Sequence, residues 1–251
     1  SRFDLQHALR WGTLPKLLDF DTDVDRAQYL RAYAQTYLKE EIAVEQIVRN
    51  LTPFRQFLEV AGHCNGKLIN FTNIARDVGV DTKTVQSYFT ILEDTLLGTF
   101  LPAYHTSVRK RQRKNPKFYL FDPGVKRALE RTLNIPIKEE TYGYGEAFEH
   151  FIILETMRLA DYAQLDWRFS YLLTKDGAEI DLVIDRPGMP LALIEIKPTA
   201  KTDERDVRTL NRFAQDFPQA ERFCLSRDPH EKRIEGTWCL PWELGLERLG
   251  L

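Results

Sequence analysis

The stretch from Trp167 to Leu240 most narrows what this chain of 251 residues can fold into. It contains apolar runs of strand length, Trp167 to Leu173, Glu179 to Ile184 and Leu191 to Lys197. These are separated by the turn signals Lys175-Asp176-Gly177 and Arg186 to Pro190. A helical stretch from about Glu204 to Asp216 intervenes before further strands near Arg222 to Leu225 and Thr237 to Leu240. A strand that leaves through a helix and returns as a strand makes a crossover, so the sheet is predicted to be mixed, with helices on its faces. A helix from Glu146 to about Leu159 leads into it.

The first half reads differently. From Leu5 to about Ala61 the periodicity is helical, broken at Gly12 to Pro15 and by a polar stretch from Asp19 to Asp25. Tyr29, Tyr33, Tyr37 and Leu38 fall at helical spacing, a stripe that normally faces a neighbouring helix. Between Lys67 and Leu97, Thr72 can cap a short helix through Val78, Gly79 breaks it, and Asp81 or Thr82 caps a second helix through about Leu92. That is helix-turn-helix spacing. Lys83, Thr84, Gln86 and Ser87 are expected on its exposed side, with Val85, Tyr88, Phe89 and Leu92 inward.

Two strand-like runs follow, Gly98 to Tyr104 and Lys117 to Phe121, joined by a segment carrying Arg109, Lys110, Arg111, Arg113 and Lys114. The layout is that of a winged helix with a basic wing, and Asp122-Pro123 starts a helix from Val125 to Leu133. The expected organisation is a helical segment at 1–61, a winged helix at 62–138 and an α/β domain at 139–251, an α+β protein overall.

Composition bounds function. Lys and Arg number 35 against 37 Asp and Glu, a formal charge of −2, so any nucleic-acid surface must come from local segregation of charge. Arg109 to Lys114 is such a cluster, and Lys201, Arg205, Arg208 and Arg212 add a basic helix face downstream. DNA is the partner these surfaces suit. A protein-binding winged helix with a solvated loop is the other reading. The three cysteines form no CxxC pair, which fits a reduced, cytoplasmic setting, and no apolar run reaches membrane-spanning length. His7, His63, His105, His150 and His230 are scattered and support no zinc site.

The residues with chemistry lie on the strands. Alternate strand residues share a face, so Glu179 and Asp181 point one way and Glu195 and Lys197 likewise. A symmetric hairpin near Gly188 sets Asp181 opposite Glu195 and Glu179 opposite Lys197. Adjacent, partly buried carboxylates repel each other and lose hydration, a conflict that a divalent cation resolves. Hard oxygen ligands suit Mg²⁺ (or Mn²⁺), and a lysine beside the cation can orient a nucleophilic water. Glu149 on the preceding helix is a further acid, with Glu146 and Glu155 as neighbouring candidates. Ordinary cross-strand salt bridges are the alternative.

Asp181 followed after thirteen residues by Glu195-Ile196-Lys197 resembles the core of the PD-(D/E)xK nuclease superfamily, with Glu149 matching its helix glutamate. Gly145-Glu146-Ala147-Phe148-Glu149, Glu179-Ile180-Asp181-Leu182-Val183 and Ile194-Glu195-Ile196-Lys197 resemble the C-terminal half of a prokaryotic family of AAA+ ATPases. Gly12-Thr13-Leu14-Pro15, Tyr37-Leu38-Lys39-Glu40-Glu41-Ile42 and Lys117 to Gly124 fall where that family has similar runs. The resemblance implies a restriction-endonuclease-like sheet behind the winged helix. It also implies metal ligands Asp181, Glu195 and Glu149 and a catalytic Lys197, while the exposed polar and basic residues Lys83, Gln86, Arg109, Lys110, Arg111, Arg113, Lys114, Arg208 and Arg212 are the expected DNA contacts. Gly62-His63-Cys64-Asn65-Gly66-Lys67-Leu68 is no Walker motif, being one residue short and ending in Leu68. ATP is therefore expected only through an upstream ATPase module, with homo-oligomerisation left to that module. A start at Ser1 fits a C-terminal fragment.

Overall fold

The computed structural model describes residues 3–37, 51–105 and 115–251. It is an α+β structure in two compact units, Ser1–Phe100 with Asn115–Ile137, and Leu101–Lys114 with Lys138–Leu251.

In the first unit, α1 (Leu5–Trp11), a 3-10 turn (Pro15–Asp19) and α2 (Asp23–Ala32) share one core with α3 (Leu51–His63), α4 (Phe71–Val78) and α5 (Thr82–Asp94). A two-stranded sheet of β1 (Gly98–Leu101) and β2 (Lys117–Leu120) and the helix α6 (Pro123–Leu129) complete it. The helical segment and the helix-turn-helix region are thus continuous in packing. Phe57 and Phe89 meet edge to face at 4.8 Å, and Phe89 meets Phe118 at 4.9 Å. The tyrosine stripe packs as expected at Tyr29 and Tyr33, whose rings lie 6.2 Å apart with Tyr33 the same distance from Phe121.

The turn between α4 and α5 is made by Gly79 at φ 75°, and Asp81 caps α5 by accepting from the Thr84 amide at 3.0 Å. The cap of α4 is Asn70, two residues before the expected Thr72, because its carboxamide reaches the Asn73 amide at 3.0 Å and frees Phe71 to begin the helix. The strand expected to reach Tyr104 stops at Leu101, just before Pro102, which has no N–H for a ladder.

One buried clasp fixes the start of α6. Asp122 caps it through the Val125 amide at 2.9 Å and also accepts from the Thr13 amide at 2.7 Å. Gly12 is required there: a Cβ would lie 2.1 Å from the Asp122 carboxylate, and one on Gly124 would lie 1.8 Å from the Trp11 carbonyl oxygen. Arg127, also buried, donates to the carbonyls of Arg10 at 2.8 Å, Thr132 at 2.6 Å, and Ile135.

The second unit is a six-stranded sheet in the order β3-β4-β5-β6-β8-β7. Its strands are β3 (Arg168–Leu173), β4 (Glu179–Asp185), β5 (Ala192–Lys197), β6 (Glu221–Ser226), β7 (Lys232–Ile234) and β8 (Thr237–Pro241). Pairing is antiparallel from β3 to β5 and parallel from β5 through β6 to β8, the mixed sheet that the crossover predicts. The crossover helix α8 (Glu204–Arg212) covers one face, where Val207 and Leu210, with Phe213 just beyond, pack on Leu193, Cys224 and Cys239. Covering the other are α7 (Tyr142–Tyr162) and α9 (Trp242–Leu249): Phe151 meets Trp242 edge to face, and Gly245 lies against Leu225. Among the described residues no helix is long and apolar enough to cross a membrane.

Candidate functional site

Strands β4 and β5 are apolar on both faces except near one end. Ile180, Leu182, Ile184, Ile194 and Ile196 are buried, as is Val183, so charges at Asp181 and Glu195 sit in apolar surroundings. The antiparallel ladder runs Ile184↔Ala192, Val183↔Leu193 and Leu182↔Ile194, and one further step in that register sets Asp181 opposite Glu195. The ladder stops just short of that step. Instead of a main-chain carbonyl, the Asp181 Oδ2 takes the Ile196 amide, at 2.8 Å.

Three charged side chains then interlock. Glu195 is only 2% exposed, and its Oε2 accepts from Lys197 Nζ at 3.2 Å. Asp181 is half-buried, and its pKa is raised well above the carboxylate range. Burial is the main cause, followed by the adjacent Glu195 carboxylate and a hydrogen bond with it; Lys197 and the Ile196 amide pull the other way. At Lys197 burial works against the ammonium, but Glu195 and Asp181 outweigh it and hold the pKa above the ordinary lysine value. This end of the sheet therefore holds the Lys197 ammonium beside the Glu195 and Asp181 carboxyl groups, with Asp181 shifted toward its protonated form.

The other expected site residues are distributed as follows. Glu179 pairs with Leu173 on β3, and the β4–β5 ladder ends before the register that would set it opposite Lys197. Glu149 is half-buried on α7. Among the described residues no group of three or more His, Cys, Asp and Glu side chains is placed to hold a metal ion, so Glu149 does not complete a three-acid set with Asp181 and Glu195. On the same helix burial raises the pKa of Glu155, against the pull of Arg158 at 3.8 Å.

On α8, Arg208 is exposed, whereas Arg212 is paired with Asp176 and Arg205 with Asp203 at 2.6 Å. On α5, Lys83 and Gln86 are exposed, and Thr84 is drawn into the cap, its hydroxyl donating to Asp81 at 2.6 Å. Arg109, Lys110, Arg111, Arg113 and Lys114 lie outside the described residues, as do Leu38 to Ile42.

Two features escape sequence reasoning. Parallel register places Cys224 beside Glu195 and Cys239 beside Cys224, and the antiparallel β7–β8 pair places Lys232 beside Cys239, so one row crosses the sheet next to the acid pair. The Cys224 thiol, hydrogen-bonded to Cys239 and buried, is raised in pKa, and the Cys239 thiol is correspondingly lowered. The second is Asp228, just beyond β6. It is 1% exposed, accepts from the Thr202 amide at 2.8 Å and hydroxyl at 2.9 Å, and pairs with Lys232. This fastens the segment that follows Lys197. Burial pushes the Asp228 pKa up, but Lys232 and these donors outweigh it and hold the carboxyl well below its usual range. Neither register nor closure of this kind is encoded in local alternation.

The geometry thus defines an α+β protein with a charged group at one end of a mixed sheet. Residues 2–137, more than half of the chain, match the family described as "Domain of unknown function (DUF8612)", and the chain belongs to that family. Residues 144–244 match "Domain of unknown function (DUF4143)", a domain found in AAA-ATPase-associated proteins. Two bacterial relatives, an uncharacterized protein of Mycobacterium bovis and one of Mycobacterium tuberculosis, are each 28% identical over 226 residues. Each match covers 86% of this chain and 49% of the relative, so the chain spans about half the length of the curated relatives it matches. No solved structure matches.

Proposed function

We propose that this chain is the DNA-engaging, C-terminal part of an AAA+ type ATPase, a winged helix followed by a nuclease-like domain. In this reading the Asp181–Glu195–Lys197 group is a Mg²⁺- or Mn²⁺-dependent phosphodiester-hydrolysing site. The observation that carries the proposal is the interlocked group itself. Two carboxylates held side by side in apolar surroundings are costly, and a cation offsets that cost.

The residues fit a magnesium ion, because Mg²⁺ takes one or two carboxylates and completes its octahedron with water and phosphate oxygens. Asp181 and Glu195 would hold it. When bound, such a cation lowers the pKa of a coordinated water and neutralises phosphate charge. Lys197 is fixed by Glu195 Oε2 at 3.2 Å and stays protonated, so it acts as a cation that orients the attacking water and balances charge developing on phosphorus. The Ile196 amide holds Asp181 Oδ2 and thereby fixes the carboxylate plane. Exposed Arg208, with Lys83 and Gln86 on α5, would contact the DNA backbone or bases. The match of residues 144–244 to a domain of AAA-ATPase-associated proteins supports the ATPase context.

A second reading, a non-catalytic DNA- or protein-binding module, draws on a different observation: the charges already have internal partners. Lys197 is taken by Glu195, and Arg212 and Arg205 by acids of their own unit. Cleavage of single- and double-stranded DNA and RNA in Mg²⁺ and Mn²⁺, by wild type and Lys197→Ala, separates the two. The enzyme reading expects a loss of roughly 10²-fold or more with binding retained. Absent cleavage by wild type, with no cation-dependent rise in melting temperature, would leave the binding module.

A further inference from the structure

Helix α7 begins at the end of the sheet that carries Lys197. Thr141 caps it, its hydroxyl accepting from the Tyr144 amide at 3.3 Å. A Cβ on Gly145 would lie 3.7 Å from the Pro198 ring, and Pro198 directly follows Lys197, the last residue of β5. The register agrees: Lys197 pairs with Ser226 on β6, and the guanidinium of the next residue, Arg227, lies 5.1 Å from the centre of the Tyr144 ring. Alternation sends Pro198 toward α7 and Lys197 to the opposite face, so the first turn of α7 and the charged group flank one sheet end.

Tyr142, the first residue of α7, is 77% exposed. Residues i and i+3 share a helix face, so its neighbour one turn on is Gly145, which has no side chain to cover the ring. Gly143, next to it, also stands in the open, where a Cβ would meet nothing within 4 Å. Glycine disfavours helix, and two glycines at the start of α7 leave little to bury the aromatic ring.

Cations stand at the same sheet end. Lys197 keeps 34% of its side chain exposed. The loop that follows it is pinned: the Thr199 carbonyl accepts from the Arg227 amide at 3.0 Å, the Thr199 hydroxyl from the Lys201 amide at 3.1 Å, and Asp228 holds the Thr202 amide at 2.8 Å. This loop presents Lys201, which is exposed and forms no ion pair among the described residues. An exposed ring on a fixed helix end, beside cations, suits an unpaired strand. Aromatic faces stack any base, and cations follow the phosphates. In a duplex the bases are already stacked on one another and do not offer that face.

We propose that Tyr142 is a base-stacking residue that makes single-stranded DNA the substrate class of this sheet end. Its ring takes one unpaired base, while Lys201 and Lys197 meet neighbouring phosphates. The assignment rests on the DNA-engaging reading above and adds the strandedness which that reading leaves open.

Fluorescence anisotropy in EDTA and low salt tests it with no part played by cleavage. The probes are a labelled oligothymidylate, an abasic strand with the same number of phosphates, and a duplex of equal length. Wild type should bind the oligothymidylate at least roughly five-fold more tightly than the abasic strand, the worth of one stacked base. Tyr142→Ala should lose that preference with its abasic affinity unchanged, and Tyr142→Trp should keep it. Tyr162, at the other end of α7 and 76% exposed, supplies the control: Tyr162→Ala should behave as wild type. Equal affinity of wild type for the two single strands overturns the inference, as does a preference that survives in Tyr142→Ala or is lost in Tyr162→Ala. Duplex bound without any such preference sinks the stacking role and leaves the DNA-engaging reading standing. No binding of any of the three strands overturns both.

Discussion

Both units bury charge, and they treat it in opposite ways. In the helical unit Asp122 and Arg127 are 1% and 5% exposed, and they bond to main-chain groups and a hydroxyl: amides of Thr13 and Val125, the Thr13 hydroxyl, and carbonyls of Arg10, Thr132 and Ile135. Each acts as a bracket between segments far apart in sequence. In the sheet unit Asp181, Glu195 and Lys197 face one another: Glu195 accepts from Lys197, Asp181 accepts from the Ile196 amide, and burial with the neighbouring Glu195 carboxylate raises the Asp181 pKa. A buried charge saturated by backbone builds architecture. Like charges held against each other store a preference for something that relieves them.

The largest effect should come from attacking the bracket. Gly124→Ala drives a methyl to within 1.8 Å of the Trp11 carbonyl oxygen, a backbone atom, and should cost more than about 3 kcal/mol in urea unfolding. A loss below about 1 kcal/mol would show that α1 and α6 are not rigidly joined.

Next is Asp228→Asn, expected to lose about 2 kcal/mol by disturbing the Thr202 and Lys232 contacts. Because the wild-type carboxyl titrates below its ordinary value of 3.8, its contribution is present above that pH and is lost as pH falls through the lower folded value. The variant should lack that acid limb of the stability curve.

Asp181→Asn should act with the opposite sign. A raised folded pKa favours the protonated acid, so stability is present at low pH and declines as pH rises through the folded value. In EDTA at pH 8 the variant should therefore melt higher than wild type, by about 1 kcal/mol, while losing any stabilisation by Mg²⁺. Equal melting at pH 8 would remove the contrast between the two units.

The smallest effect belongs to Arg208→Ala, exposed on α8. Stability should change by less than about 0.5 kcal/mol, and the salt dependence of DNA binding should fall by about one phosphate contact. An unchanged salt slope would remove this helix from the DNA surface.

What was legible in the sequence follows from how local each signal is. Strands β3 to β5 were readable because alternation and the turns at Gly177 and Gly188 repeat within a few residues. The pairing of Asp181, Glu195 and Lys197 followed from the same period of two. Strand β7 was missed because Lys232–Ile234 is three residues long and largely polar, and α9 because Gly245 interrupts a short apolar run beginning just after Pro241. The row from Glu195 to Cys224 and Cys239 depends on the register of parallel strands joined by long connections, which no local pattern specifies. The cap at Asn70 was missed for a smaller reason: several polar residues in succession could each serve, and side-chain reach decides among them.

The bond from the Ile196 amide to Asp181 Oδ2 gives the molecule its own gauge. In an intact ladder that amide would answer only to unfolding of the strands. Here its partner is the carboxylate that a proton or a cation would also claim. The exchange rate and chemical shift of this one amide should register occupancy of the sheet end directly, without a substrate or an added probe, and should do so even in a chain that catalyses nothing.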